Sequence, residues 1–479
     1  MNKKFYITTT LPYVNAEPHI GFALEIVQAD TIARYKRVQG FDVFFNFGTD
    51  EHGLKIYRKA IEEKKDPQKY CDEYASKFDA LKEGLNLSYN NFIRTTDQHH
   101  IEASQEFWRR CLKNGDIYKK NYRIKYCVGC ELEKTDSELD HGKCLLHPNQ
   151  KLEIYDEENY FFRFSKYQNK LLELYEKNPD FVVPNFRLKE IKTFIRNGLE
   201  DFSVSRLKSK MPWGIDVPDD PEHVIYVWFD ALINYVSAIG WPKDLNKFKS
   251  WWPVSQFAGK DNLRQQSAIW QAMLMSAKLP PSKQIFIHGF ITVGGQKISK
   301  SLGNVINPLE LAKKYGTDAV RYYLLAKIHP WEDSDFTIKK FEEVFNADLA
   351  NGLGNLVARV AKLCDTSGYV HELTSIPRKL KKPVSTSLEK FNFDKALGYI
   401  WSSDIKWGLK WLDKYINESK PWQIKDKKLL YLKLHLYVEN ILDIAYNLQP
   451  FLPATAEKIL EQFKGPKVKS QPPLFPRIP

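Results

Sequence analysis

Apolar and polar positions change their period along the chain, and the changes divide it. Lys4-Phe5-Tyr6-Ile7-Thr8-Thr9-Thr10 is β-rich, Pro12 to Pro18 reads as a loop, and a helical pattern runs from Ala23 to Arg37 before a second strand at Asp42 to Phe47. Strand, helix and strand at this spacing predict a βαβ unit, hence a parallel sheet with covered faces. From Asp116 to about Pro221 the runs shorten and turn residues multiply, as in Met211-Pro212-Trp213-Gly214, which predicts an insertion. Val224-Ile225-Tyr226-Val227-Trp228 and Gln284-Ile285-Phe286-Ile287-His288 then read as buried strands that rejoin the first sheet. Beyond Phe336 helical spacing takes over: Leu349, Leu353, Leu356, Val360 and Leu363 share one face, as do Leu434, Val438, Ile441, Leu442 and Ala445.

These patterns predict an α/β chain with a Rossmann-like parallel sheet split by an insertion and followed by an α-helical bundle. The segments are 1–116 and 222–336 for the two halves of the sheet domain, 117–221 for the insertion, and 337–479 for the bundle. No internal repeat or low-complexity tract interrupts them. A length of 479 residues agrees with about three units. Lys and Arg number 71 against 59 Asp and Glu, a formal charge of +12, which favours a polyanionic partner. Charges or prolines break every apolar run well short of the ~18 residues of a membrane span, and Lys3-Lys4 precedes a strand, not a signal sequence.

Six cysteines in so long a chain are no disulfide framework, and three crowd into residues 127 to 144. The reading is reduced and cytoplasmic. Cys127-Val128-Gly129-Cys130 and Cys144-Leu145-Leu146-His147 form CxxC and CxxH pairs, in which short gaps let both ligands of a pair reach one ion. Cys127, Cys130, Cys144 and His147 are therefore expected to hold a structural Zn²⁺, with His141 the alternative to His147.

Two further motifs suit phosphate. His19-Ile20-Gly21-Phe22 lies where the first loop feeds a helix, so that amides, dipole and imidazole converge, and Gly21 admits a ligand close to the backbone. Lys297-Ile298-Ser299-Lys300-Ser301 follows a Gly294-Gly295 turn and presents two cations to developing phosphate charge. Gly289 and Gly294 are spaced as in a P-loop, but Gly295 stands where that loop needs lysine, so a P-loop is rejected.

Together these motifs resemble the HIGH and KMSKS signatures of class I aminoacyl-tRNA synthetases. Thr10-Leu11-Pro12-Tyr13, Gly48-Thr49-Asp50-Glu51-His52-Gly53, the metal knuckle, Val227-Trp228-Phe229-Asp230-Ala231, Gly259-Lys260-Asp261 and Ala347-Asp348-Leu349-Ala350-Asn351 extend the likeness to the methionyl-tRNA synthetases over essentially the whole chain. The resemblance implies activation of methionine by ATP and transfer to tRNA(Met). It implies His19, Lys297 and Lys300 as catalytic residues, ATP held by these and Gly21 with Mg²⁺, and methionine held by Leu11, Tyr13, Asp50, Trp228, Ala231, Tyr235 and Gln266. It also implies an anticodon site at Asn355, Arg359 and Trp422.

Two positions depart from the family's pattern: Phe22 replaces the signature's last histidine, and Gln266 replaces a histidine expected in the methionine pocket. The rivals are a class I synthetase for another apolar amino acid, which would usually carry a larger insertion, and a non-catalytic tRNA-binding paralogue, which Phe22 suggests. The appended tRNA-binding and dimerisation domain of some family members is not expected after the bundle, which runs almost to Pro479, and a monomer is expected.

Overall fold

The computed structural model describes residues 3–130, 132–134, 139–298, 303–371 and 378–478. The chain forms two compact units. One comprises residues 1–18, 42–80 and 89–287, the other 19–41, 81–88 and 288–479. The boundary between the compact units falls at the end of the strand Gln284–His288.

The first unit is built on a six-stranded sheet. Its strands are β1 (Lys4–Thr8), β2 (Asp42–Thr49), β3 (Asn91–Arg94), β4 (Val182–Val183), β5 (Val254–Gly259) and β6 (Gln284–His288), in the order β3-β2-β1-β5-β6-β4. The pairings β1 with β2, β1 with β5, β2 with β3 and β4 with β6 are parallel. Burial on both faces explains why β2 reads as an apolar run: only Asp42 of its eight residues is exposed. Gly48 lets β2 approach β3, since a Cβ there would lie 1.7 Å from the Ile93 carbonyl oxygen.

One expectation needs correction. Gln284–His288 does rejoin the sheet, but Val224–Trp228 does not. Asp220–Ile225 pairs antiparallel with Ser205–Leu207 and Asp216–Val217, and a helix begins at Val227. A short apolar run is ambiguous between a buried strand and a buried helix start, and here it contains the junction of both. The strand that completes the sheet is β5, fully buried although Ser255 and Gln256 interrupt its apolar pattern.

The insertion is framed by a long antiparallel pair, Ile117–Cys127 with Glu153–Phe162, in register from Ile117 opposite Phe162 to Tyr126 opposite Glu153. The cysteine knuckle lies in the connection between them. Behind the sheet, an aromatic core includes Phe107 stacked on Trp270 at 5.8 Å between centroids and edge-on to Trp241 and Phe229.

The second unit begins with α1 (Ile20–Val38) and continues in helices from Pro308 to Phe463. The two predicted faces are buried, except that Leu363 is only partly covered. Between Phe345 and Gly354 the helix widens to a π-helical stretch before Asn355–Ser367. Within this unit, Asp30 of α1 and Arg321, both fully buried, pair at 2.8 Å. Arg321 also donates to the Phe451 and Leu85 carbonyls, while Asp30 accepts from the Ser88 backbone N–H and hydroxyl and from Arg34. Burial alone would raise the Asp30 pKa; Arg321, Arg34 and Ser88 outweigh it and hold the carboxyl below its ordinary value.

Arg321→Met strands a buried carboxylate and is expected to destabilise the protein by about 3 to 5 kcal/mol, whereas Asp30→Asn with Arg321→Met recovers much of that loss. Urea unfolding of the two single variants and the double variant measures the coupling; strictly additive losses would refute it.

Candidate active site

The chain leaves β1 carrying Leu11 and Tyr13, and leaves β2 carrying Asp50, so these side chains gather beyond the carboxyl ends of adjacent parallel strands. A backbone bridge between Tyr13 and Asp50 fixes that edge, with the Asp50 N–H donating to the Pro12 carbonyl at 2.9 Å. Helix Val227–Leu232 adds Trp228 and Ala231, the following turn adds Tyr235, and a π-helical turn at Gln265–Ile269 adds Gln266. All seven residues expected at the methionine site line one cavity, together with Thr10, Leu232, Asn234, Asn262 and Gln265. The Trp228 indole N–H donates to the Tyr13 hydroxyl at 3.0 Å, closing one wall.

Gln266 is oriented by buried amides. The Ser282 hydroxyl donates to Gln256 Oε1, and Gln256 Nε2 donates to Gln266 Oε1 at 2.7 Å. With its carbonyl so engaged, Gln266 offers its NH₂ to the remaining space, a donor where the family pattern has an imidazole.

His19 is the N-cap of α1. Its Nδ1 accepts from the Gly21 N–H at 3.1 Å, which assigns the proton of the neutral ring to Nε2. Burial holds its pKa below the ordinary histidine value. A Cβ at Gly21 would lie 3.0 Å from His19 Cε1 and 3.7 Å from Ile298 Cδ1, so the two signature segments meet at this glycine. Lys297 is exposed and ends a hairpin, Ile291–Val293 with Gln296–Lys297, turned by Gly294 and Gly295 at φ of 61° and 75°. Lys300 lies outside the described residues.

In the knuckle, the donor atoms of Cys127, Cys130, Cys144 and His147 lie within 4.8 Å of one another. Cys130 Sγ is 3.4 Å from Cys144 Sγ and 3.1 Å from His147 Nδ1, and Cys127 Sγ is 3.8 Å from His147 Nδ1. Bonds of about 2.0 to 2.3 Å to a tetrahedral ion separate ligands by about 3.3 to 3.8 Å, so the donor set fits a metal ion. Gly129 is required by the packing: its Cβ would meet the His147 ring at 2.6 Å. His141, the alternative ligand, is 95% exposed and outside the cluster.

On the helical unit, Asn355 and Arg359 stand one turn apart. The Arg359 guanidinium lies 5.2 Å from the Trp422 ring and donates to Asp413 and Asn417. A groove of about 650 Å³ lies alongside, lined by residues including Asn351, Trp401, Asp413 and Asn417.

The sequence matches the family model described as tRNA synthetases class I (M) over residues 5–151 and 129–361. The chain belongs to this family. It is 42% identical to the methionine–tRNA ligase of Thermotoga maritima over 480 residues, covering 96% of this chain and 75% of that protein. It is 43% identical to the methionine–tRNA ligase of Synechocystis sp., covering 96% and 89%. Mycobacterium tuberculosis methionyl-tRNA synthetase in complex with methionyl-adenylate superposes with a TM-score of 0.91 at 34% identity, covering 99% of this chain and all of that one.

One group within this class I synthetase fold was not anticipated from sequence. Asp230, on the helix that carries Trp228 and Ala231, is fully buried between His52 Nδ1 and His100 Nε2, each at 2.7 Å. His100 Nδ1 contacts the Ser237 hydroxyl at 2.9 Å. Burial alone would raise the Asp230 pKa, yet the two imidazoles outweigh it and hold it at about 2. Only the neighbourhood of Asp230 and His52 to quoted motifs hinted at this; His100 carried no signal.

Because the folded pKa is depressed, the stability due to Asp230 is complete above the ordinary carboxylate range and is lost as pH falls toward 2. Asp230→Asn is expected to cost about 3 to 5 kcal/mol near pH 7 and less at pH 2, where the folded carboxyl is about half protonated. Urea unfolding at both pH values measures this, and an equal loss at both would contradict it.

Proposed function

We propose that the chain activates methionine with ATP and transfers the methionyl group to tRNA(Met). The observation that carries the reading is the convergence of Leu11, Tyr13, Asp50, Trp228, Ala231, Tyr235 and Gln266 on one cavity. Asp50 pairs with the α-ammonium group, the aromatic side chains surround the thioether, and the Gln266 NH₂ donates toward the sulfur, a weak acceptor.

The methionine carboxylate is anionic at neutral pH and needs no general base. Its oxygen attacks the α-phosphorus of ATP, pyrophosphate leaves, and methionyl adenylate forms; a ribose hydroxyl at the 3′ end of the tRNA then attacks the acyl carbon and AMP leaves. His19 Nε2–H, the amides near Gly21, Lys297 and Lys300 stabilise the phosphate charge. Mg²⁺ bound with ATP supplies further neutralisation. Phe22 provides no donor where the family has an imidazole, a loss that elsewhere costs about 2.7 to 4 kcal/mol of transition-state stabilisation.

In this reading Cys127, Cys130, Cys144 and His147 hold a structural Zn²⁺ whose four-ligand shell leaves no place for substrate. Segments 1–116 and 222–336 act as the catalytic domain, 117–221 as the connective insertion and 337–479 as the anticodon domain. There Trp422 stacks on an unpaired base while Asn355 and Arg359 bind base edges. The surplus of positive charge strengthens tRNA binding at low salt. Among the described residues no helix is long and apolar enough to cross a membrane. On the proposed activity and the unpaired cysteines we place the protein in the cytoplasm, acting as a monomer.

ATP–pyrophosphate exchange with each amino acid in turn tests the reading. Methionine alone is expected to support exchange; a leucine or valine signal would sink the pocket assignment, and none at all would favour a non-catalytic tRNA-binding paralogue. Lys300→Ala is expected to slow exchange about 10²- to 10³-fold with unchanged circular dichroism. Exchange is also expected to persist below the ordinary histidine pKa and to fall only as His19 protonates at lower pH, because a proton on Nδ1 would oppose the Gly21 N–H. Loss centred above pH 7 would contradict the assigned tautomer.

A further inference from the structure

A second cluster of metal-ligating side chains lies in the helical unit, apart from every residue discussed above. His435 and Glu439 stand one turn apart on helix Lys427–Leu448, and His371 comes from the chain that follows Ser367. One donor atom from each of the three lies within 4.8 Å of the others. His371 is 1% exposed, and its backbone is anchored by its N–H donating to the Pro466 carbonyl at 2.7 Å.

Among the described residues, two buried atoms in this cluster find no hydrogen-bond partner: His371 Nε2 and Glu439 Oε1. They face one another at 3.5 Å. That is long for a charge-assisted hydrogen bond, which closes to about 2.7 to 2.9 Å. It matches the separation of about 3.4 Å between two ligands bonded at 2.0 to 2.1 Å to one tetrahedral ion. Leaving two such groups buried and unbonded is costly, and a shared cation satisfies both at once.

The surroundings orient the donors. The Tyr369 hydroxyl lies 3.3 Å from His371 Nδ1 and 3.2 Å from His435 Nδ1, engaging the far side of the His371 ring from the atom that faces Glu439. Arg378 donates to Glu439 Oε2 at 2.9 Å, which occupies one carboxylate oxygen and leaves Oε1 to the cluster. Such contacts to the outer atoms of ligands set their direction in metal sites. Arg378, Lys427 and Lys428 oppose a cation electrostatically, but Asp443 takes up the other arm of Arg378 at 2.6 Å, and both lysines line a neighbouring cavity. That cavity, about 540 Å³, is lined by Tyr369, Tyr431 and His435, so the cluster borders it through His435.

We propose that His371, His435 and Glu439 form a second divalent-metal site, taking a zinc-class cation through two imidazoles and one carboxylate with water in the fourth position. Bound metal would tie the Tyr369–His371 segment to helix Lys427–Leu448, adding a cross-link within the helical unit that is independent of the cysteine knuckle.

Zn²⁺ bound to the full chain, measured by elemental analysis after dialysis against micromolar free Zn²⁺, is expected to reach two equivalents. His435→Ala and Glu439→Gln, both on helix Lys427–Leu448 at positions that are not fully buried, should each reduce it to one without altering the circular dichroism. Substitution with Co²⁺ separates the sites, because only the knuckle gives intense thiolate charge-transfer bands. The variants should lose weaker visible absorbance and keep those bands. One equivalent in the unaltered protein, or a second equivalent that survives both substitutions, would overturn the proposal.

Discussion

The pairing of Asp30 with Arg321 is the constraint on which the helical unit depends. Two opposite charges with no solvent exposure are tolerated only when every remaining polar atom is engaged, and here the guanidinium reaches two carbonyls while the carboxylate takes Ser88 and Arg34. Removing any one partner uncovers a desolvated charge, so the network fixes the position of α1 as a whole. The same helix carries at its N-terminus the His19 cap and the Gly21 N–H from which that ring accepts, so the network that holds α1 also positions that end.

The sheet unit uses a similar device with different chemistry. Asp230 between two imidazoles holds helix Val227–Leu232 from its buried face, and the opposite face presents Trp228 and Ala231 to the cavity. The amide relay from Ser282 through Gln256 to Gln266 does the same across the pocket. In both cases the residues facing the cavity are set by buried hydrogen bonds behind them, so that orientation is paid for on folding and not on binding.

What was legible in the sequence follows from how local each signal is. The helical faces around Leu353 and Ile441 and the short-gap cysteine pairs are written in contiguous spacing, and the signature motifs are contiguous too. The pattern does not report β5 because Ser255 and Gln256 are buried polar residues, and Gln266 and Ser282, the groups that satisfy Gln256, lie outside the strand. The helix at Val227 was read as strand because five apolar residues cannot report their own period. His100 and Asp230 are separated by 130 positions, and no local pattern could have joined them. The two compact units cut across the chain for a related reason: α1 is encoded between β1 and β2 but groups with helices far downstream.

The contact between Arg359 and Trp422 has a consequence for the kinetics of recognition. An indole 55% exposed would ordinarily sample several rotamers, and a planar partner would have to capture one of them. Here a guanidinium tethered to Asp413 and Asn417 lies against the ring, restricting it before anything arrives. In the proposed anticodon role, a base stacking on this indole would meet a ring already held on one side, so less side-chain entropy would be lost on binding.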